Sequence, residues 1–187
     1  MLYFVECSYA DPGSEAEWNR FYNEDKLPAL LAVPGFLNSQ RFQAVGHDGP
    51  AYLAIHTLAG PETLDSDAYR RNGGGNFASW QTHIFDWRRN LYLGAQAPAI
   101  GERDYLAISE QGPEALLAMG AQPDEIQAAG LERSTASRWL AAWRPVEGQG
   151  AADLAADLRL YAPLTARLFP GQSLARQTGL AADISAD

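Results

Sequence analysis

The chain has 187 residues, of which 47% are hydrophobic and 20% are charged, and its formal net charge at pH 7 is −9. This size and balance are typical of a globular protein of one domain or two small ones, and the acidic charge argues against nucleic acid as a partner, because nucleic-acid surfaces need clustered Lys and Arg. No apolar run reaches the ~18 residues that span a bilayer, so the sequence predicts no membrane partner.

The first predicted element is a strand over residues 2–9, LYFVECSY, which is rich in β-branched and aromatic side chains. A helix follows, because Ser14 and Glu17 have the spacing of a capping box. Trp18 has aromatic neighbours at positions i+3 and i+4, which gives this helix one apolar face. Pro28 disfavours helical geometry at the residue before it, so we expect the helix to kink or restart there.

Pro34 and Gly35 are expected to end the helical segment and release a second strand, Phe36–Val45. A third strand, Ala51–Ala59, follows across a glycine-containing loop, which predicts a β-hairpin. Residues 62–90 then predict a short helix, a glycine-rich interruption and a second helical stretch, and residues 90–96 predict a short closing strand.

This order of elements, βαββαβ, predicts an α+β fold with a ferredoxin-like antiparallel sheet that has helices on one face. Residues 104–168 are expected to repeat it in degenerate form. The second half is predicted to contain a strand from Asp104, helical pieces at 113–120 and 123–130, extended segments at 131–134 and 137–144, an alanine-rich helix at 151–158 and a last strand at 159–168. We therefore predict a first repeat over residues 1–100, a second over 101–170 and a C-terminal tail over 171–187, with the two sheets closing an α/β barrel around a pocket.

Four segments carry a family resemblance: Trp18–Phe36, Asn38–Phe42, Tyr52–Leu58 and Asp86–Tyr92. Together they resemble the dimeric α/β-barrel superfamily, and within it the small EthD-like and stress-responsive barrel proteins. The resemblance implies ferredoxin-like units that pair between subunits, as a homodimer, or between tandem repeats. It implies a pocket for small molecules that serves monooxygenases, isomerases, lyases, haem enzymes or proteins without known activity, so the fold alone does not decide the function.

Lys26 marks a departure from that superfamily. Many of its members have a histidine before the Leu-Pro of the first helix, where this chain has Lys26. A lysine titrates near ~10.4 unless it is buried or lies near other cations. The mechanism of such relatives therefore does not carry over unchanged, and the role of Lys26 stays open.

His56 is the best catalytic candidate, because imidazole titrates near neutrality and serves as a general acid or base. Strand alternation groups it with Tyr52 on one face and places Leu53 and Ile55 on the other, which suits the helices. We therefore expect His56 to face the barrel interior. The same argument makes Glu6 an interior carboxylate that orients His56, with Arg41 stabilising a developing anion. A structural polar network of these three residues is the alternative.

Five further residues are predicted to bind the substrate. Trp80, His83 and Trp87 fall on one face of the predicted second helix, together with the apolar Ile84, and Tyr22 and Tyr52 are aromatic neighbours of the pocket. An aromatic helix face is also a common core feature, so packing is the alternative interpretation. An aromatic lining favours an apolar or aromatic ligand.

The sequence predicts no metal site, because the three histidines occur singly and no cysteine pair is present. The function hypothesis is a small-molecule enzyme with cofactor-free acid/base chemistry of the isomerase, lyase or monooxygenase type. A non-catalytic ligand-binding or stress-response barrel protein is the second class, and a haem protein, which needs one axial histidine, is the third. The single cysteine, Cys7, and an N-terminus without a basic signal region predict a cytoplasmic location.

Overall fold

The structure is a computed structural model, which describes residues 1–46, 49–73, 77–131, 137–145, 157–172 and 174. Its eight strands are β1 Leu2–Tyr9, β2 Phe36–Val45, β3 Tyr52–Leu58, β4 Ile84–Leu93, β5 Tyr105–Ser109, β6 Asp124–Leu131, β7 Ser137–Trp143 and β8 Leu158–Pro163. They form a closed barrel in the order β1-β3-β2-β8-β5-β7-β6-β4, and each strand is antiparallel to both neighbours. The expected α+β protein with an antiparallel barrel is confirmed.

The helices are short and lie outside the barrel. They are α1 Glu15–Phe21, α2 Leu27–Leu31, α3 Asp67–Asn72 and α4 Glu114–Ala118, with 3₁₀ turns at Pro61–Asp65 and Ala78–His83. A π-helical turn, Tyr22–Lys26, joins α1 to α2, so the predicted break before Pro28 is a change of helix type. None of the helices in the described ranges is long and apolar enough to cross a membrane.

Two apolar layers cover the first half of the sheet. The interior of the barrel is filled by alternate residues of the strands, among them Phe4, Leu53 and Ile55. The opposite face of the same strands, including Tyr3 and Ala54, packs against α1, α2 and α3. A smaller cluster joins α4 to the outer face of β5, β7 and β8. We call the space between the first half of the sheet and its helices the helix–sheet layer.

The start of α1 is confirmed, but the capping box is not formed. The Ser14 side chain makes no capping hydrogen bond to the helix and instead donates to the Asp11 carboxylate at 2.5 Å. Its hydroxyl also lies 2.9 Å from the phenol oxygen of Tyr9. The Ser14 hydroxyl therefore bonds to side chains near the turn before the helix and not to a backbone N–H of the helix, which is a common alternative for serine.

Two predicted helices are wrong. The residues from Trp80 to Trp87 leave a 3₁₀ turn at His83 and enter β4, which pairs with β1 from Ile84 onward and therefore starts before the predicted strand at 90–96. The segment 123–130 is β6, whose residues alternate between exposed and buried around Ile126 and close the barrel between β4 and β7. In both places pairing with neighbouring strands outweighs local helix propensity.

Several predictions fall outside the described residues. They are the alanine-rich helix except for residues 157–158, residues 132–134 of the predicted extended segment, His47, and most of the predicted C-terminal tail. The strands predicted at residues 2–9, 36–45, 51–59, 137–144 and from Asp104 are confirmed, with ends that differ by a few residues.

Candidate functional site

A small cavity lies within the helix–sheet layer. Its volume is about 20 Å³, which is room for one water molecule. The lining combines aromatic rings with groups able to exchange protons: Tyr3, Val5, Tyr22, Lys26, Leu30, His56, Tyr69, Gly73, Phe77 and Trp87. This cavity, called here the His56 cavity, brings together three of the predicted site residues, Tyr22, His56 and Trp87, with Lys26.

His56 is fully buried, with no exposed surface. Its Nδ1 atom lies 2.8 Å from the hydroxyl of Ser39 on the adjacent strand, and its Nε2 atom has no hydrogen-bond partner among the described residues. Burial, followed by the positive charges of Lys26 and Arg41, lowers the pKa of His56 to about 3. The imidazole is therefore neutral at physiological pH and leaves Nε2 for a ligand.

Lys26 is placed in the cavity wall by the π-helical turn. Leu27 donates its backbone N–H to the Tyr22 carbonyl five residues earlier, a wider turn than an α-helix makes. The Lys26 side chain is 6% exposed, and its ammonium donates to the carbonyl of Gly73 and lies 5.1 Å from the centroid of the Phe77 ring. Burial lowers the pKa of Lys26 below its usual range.

Phenols complete the polar part of the lining. The hydroxyls of Tyr3 and Tyr69 lie 3.2 Å apart, one on β1 and the other on α3. Burial raises the pKa of Tyr3 and of Tyr22 far above the usual value for a phenol. Both phenols therefore stay protonated and can donate a hydrogen bond to an oxygen in the cavity.

Arg41 lies on the same face of the sheet, beside the cavity and under α1. Its guanidinium carbon is 4.0 Å from the centroid of the Tyr22 ring and 5.4 Å from that of Tyr52. It donates to the side-chain oxygens of Asn19 at 2.9 Å and Asn23 at 2.6 Å. Arg41 therefore fastens the π-helical turn to the sheet and adds positive potential near His56 without lining the cavity.

The predicted orientation of His56 is wrong. β1 pairs with β3 so that Tyr3 lies opposite His56, while Glu6 lies opposite Leu53. Residues opposite each other share a face, so Glu6 and His56 point to opposite sides of the sheet. Leu53 and Ile55, which were expected under the helices, fill the barrel instead. Glu6 therefore cannot orient His56.

Glu6 belongs to an ion cluster inside the barrel. It lies 3.1 Å from Arg138, which also approaches Glu110 at 2.9 Å, and Arg159 lies 3.5 Å from Glu110. Glu6 and Arg138 are each 1% exposed. The two acidic and two basic side chains balance in charge, which is typical of a buried structural network.

Three of the predicted binding residues lie outside the His56 cavity. Tyr52 accepts a hydrogen bond from Asn19 at 2.9 Å and donates one to Glu15 at 2.7 Å. Trp80 packs against Phe21 with ring centroids 6.3 Å apart, and His83 packs against Tyr9 at 5.6 Å. These contacts tie the helices and the 3₁₀ turn to the sheet.

The sequence analysis missed Tyr3, Tyr69 and Phe77. The alternation that placed Glu6 in the barrel also places Tyr3 on the other face, so that signal was present in the sequence. Tyr69 and Phe77 lie on either side of the glycine-rich sequence, and no local pattern indicates that these two residues reach the cavity beside His56.

Both axial-ligand candidates for haem, His56 and His83, pack against tyrosine rings, His56 against Tyr3 and His83 against Tyr9. A larger cleft of about 410 Å³ lies at one end of the barrel, near Met1 and Thr57. Its cation, Arg167, is engaged with the carbonyls of Ala97 and Pro98, which makes this cleft a weaker candidate.

No protein-family model matches the chain, and no curated protein matches it. One solved structure with a similar fold is that of a protein from Lactobacillus acidophilus NCFM provisionally described as a monooxygenase. The two chains are 9% identical, the match covers 91% of this chain and 96% of the other, and the TM-score is 0.53. At this identity the likeness shows a shared fold and nothing about the reaction.

Proposed function

We propose that the protein is a small-molecule enzyme that performs acid/base chemistry in the His56 cavity, on an apolar or aromatic metabolite with an acidic C–H or O–H group. The observation that carries the proposal is the neutral, fully buried imidazole, whose Nε2 has no partner among the described residues. Lys26 and the phenols of Tyr3, Tyr22 and Tyr69 line the same cavity. A base, a cation and hydrogen-bond donors around one space are what enolisation requires.

The electrostatics favour a substrate that becomes an anion. An imidazole whose pKa is about 3 is a weak base in the empty cavity. An enolate or phenolate that forms beside it offsets the charges of Lys26 and Arg41 and raises the pKa of His56. Proton transfer is then coupled to binding, as expected for isomerisation, elimination or cofactor-free oxygenation.

A non-catalytic ligand-binding role is the second candidate. The observation in its favour is the aromatic lining of the cavity, which must move to admit a ligand larger than one water molecule.

We also propose that the protein belongs to the dimeric α/β-barrel superfamily, in which either role is expected. Two strand orders support that assignment: β4-β1-β3-β2 in residues 1–100 and β8-β5-β7-β6 in residues 101–170, each the order of a ferredoxin-like unit. We propose that the two units form within one chain the barrel that relatives form between subunits.

Solvent-exchange NMR tests the proposal. Aromatic ketones, β-keto acids and lactones that raise the melting temperature would be incubated with the protein in D₂O, and loss of the proton α to the carbonyl would be followed. Wild type is expected to exchange that proton at least about 100-fold faster than His56→Gln, the usual contribution of a general base. His83→Gln is the matched control, because it removes an imidazole outside the cavity. Binding without exchange by wild type supports the second candidate, and equal exchange by wild type and His56→Gln contradicts the first.

A further inference from the structure

The chain contains one lysine, and it is Lys26. The other 13 of its 14 Lys and Arg residues are arginine. Surface cations such as Arg70 and Arg144 have side chains that are 67% exposed, whereas Lys26 is 6% exposed. Lysine is almost never buried to this degree in proteins at large. The single lysine side chain of the protein therefore lines the His56 cavity.

An amine differs from a guanidinium in that it can lose its proton. Arginine stays charged at every accessible pH, whereas a buried lysine shifts its pKa readily and becomes a nucleophile. Burial lowers the pKa of Lys26, so a larger share of the amine is neutral near pH 7 than in a solvated lysine. If the site needed only a positive charge, arginine, which the chain uses everywhere else, would supply it.

The surroundings of Lys26 suit a carbonyl compound. The ring of Phe77 lies 5.1 Å from Nζ, and the side chains of Trp87 and Leu30 extend the apolar wall. Tyr3 and Tyr69 provide phenol donors, and His56 provides a neutral imidazole in the same cavity. An aromatic wall with a few polar groups binds small apolar ligands that carry one polar function.

We propose that Lys26 captures the substrate covalently, as a Schiff base with a small apolar or aromatic aldehyde or ketone. This inference deepens the proposed function and rests on the same cavity. It makes the carbonyl group the feature that the site recognises, and it assigns the lysine a catalytic role beyond its charge.

The chemistry balances without a further reactant. The lone pair of the neutral Nζ attacks the carbonyl carbon, the C=O π electrons move to oxygen, and transfer of one proton from nitrogen to oxygen gives a carbinolamine. Uptake of one proton from solvent and departure of water then give the protonated imine. The imine nitrogen carries the charge that the ammonium carried, and Nε2 of His56 can take a proton from the adjacent carbon to give an enamine.

Reductive trapping tests this capture directly. Native protein at pH 7 would be mixed with acetaldehyde or benzaldehyde and cyanoborohydride, which reduces an imine to a stable secondary amine, and the adduct would be located by peptide mass spectrometry. Lys26 and the N-terminal amine are the two amine sites of the chain. We expect an adduct at Lys26 in the native protein that forms faster than on a free lysine amide, because burial lowers the pKa of Lys26 and leaves more of its amine neutral at pH 7.

Variants separate this inference from the proposed function. Lys26→Arg keeps the charge and Lys26→Met keeps the length, and both are expected to lose the adduct while circular dichroism confirms folding. Trapping at Lys26 only after denaturation would overturn the inference. Full proton exchange by Lys26→Arg would also overturn it and leave the His56 proposal standing. Trapping that persists in His56→Gln with undiminished proton exchange would overturn the His56 proposal and leave the capture standing.

Discussion

Burial of a neutral His56 predicts that the protein loses stability in mild acid. The pKa of the imidazole is about 3 in the folded protein and 6.5 in the unfolded chain. Above pH 6.5 both states are neutral and His56 contributes no pH dependence. Between pH 6.5 and 3 the unfolded chain binds a proton that the folded protein does not, so stability falls as the pH falls.

The size of this loss follows from the two pKa values. At pH 5, which is about 1.5 pH units below the pKa of the unfolded imidazole, protonation of His56 stabilises the unfolded chain by about 2 kcal/mol relative to pH 8. Urea unfolding followed by tryptophan fluorescence at the two pH values measures it. We expect the wild type to lose about 2 kcal/mol more than His56→Gln over this interval, even if the variant is less stable at pH 8.

A matched variant identifies the histidine responsible. His83→Gln removes an imidazole that packs against Tyr9 outside the cavity. Carboxylates titrate in all three proteins, so their contribution cancels in the comparison. If wild type and His56→Gln lose the same stability between pH 8 and pH 5, then His56 is not held neutral in the fold and the reasoning fails.

Three further substitutions test how the site is supported. Glu6→Gln leaves Arg138 buried beside one fewer carboxylate, so we expect urea unfolding to show a loss of stability of about 3 kcal/mol, with α-proton exchange retained in the folded protein. The control is Asp67→Asn, which removes a carboxylate from an exposed ion pair. A loss below about 1 kcal/mol for Glu6→Gln would contradict the buried network. Arg41→Lys removes the guanidinium that donates to both Asn19 and Asn23, so we expect a loss of stability of about 2 kcal/mol. The control, Arg70→Lys, is expected to show no measurable change. Equal melting temperatures for wild type and Arg41→Lys would refute the role of Arg41 in holding the helices to the sheet. Gly35→Ala places a Cβ 2.3 Å from the buried Thr63 hydroxyl at a backbone φ of +100°, so we expect a loss of stability of about 2 kcal/mol or more. The control, Gly13→Ala, is expected to be tolerated, because its new Cβ lies 3.3 Å from the nearest atom, a carboxylate oxygen. A Gly35→Ala protein as stable as wild type would show that this turn is not constrained.

Much of the fold could be predicted because its strands carry local signals. β2 was predicted with its observed bounds, since Gly35 precedes it and a glycine-rich loop follows it. The first half of β4 was missed because Trp80, Ile84 and Trp87 coincide with a helical period, although the pairing of β4 with β1 decides the outcome. β6 was missed because its Glu, Gln and Ala residues favour a helix until two neighbouring strands are present.

Three of the eight predicted site residues line the cavity, but the face of β3 that carries His56 was predicted wrongly. Both faces of β3 are buried, so Leu53 on one side and Ala54 on the other give no contrast in hydrophobicity that would tell the barrel from the helix–sheet layer. Only the register of β3 with β1, which places Tyr3 opposite His56, decides to which side of the sheet His56 points. That register depends on pairs of residues that are 45 to 55 positions apart in sequence, which local periodicity cannot supply.

The position of a bound ligand tests the central claim most directly. Crystals of the wild-type protein would be soaked with an aromatic aldehyde or with a ketone that raises the melting temperature. We predict ligand density in the helix–sheet layer, beside Nε2 of His56 and Nζ of Lys26, with the Phe77 and Trp87 side chains displaced. Ligand density inside the barrel, against Glu6 and Arg138, with the His56 cavity unchanged, would contradict the account.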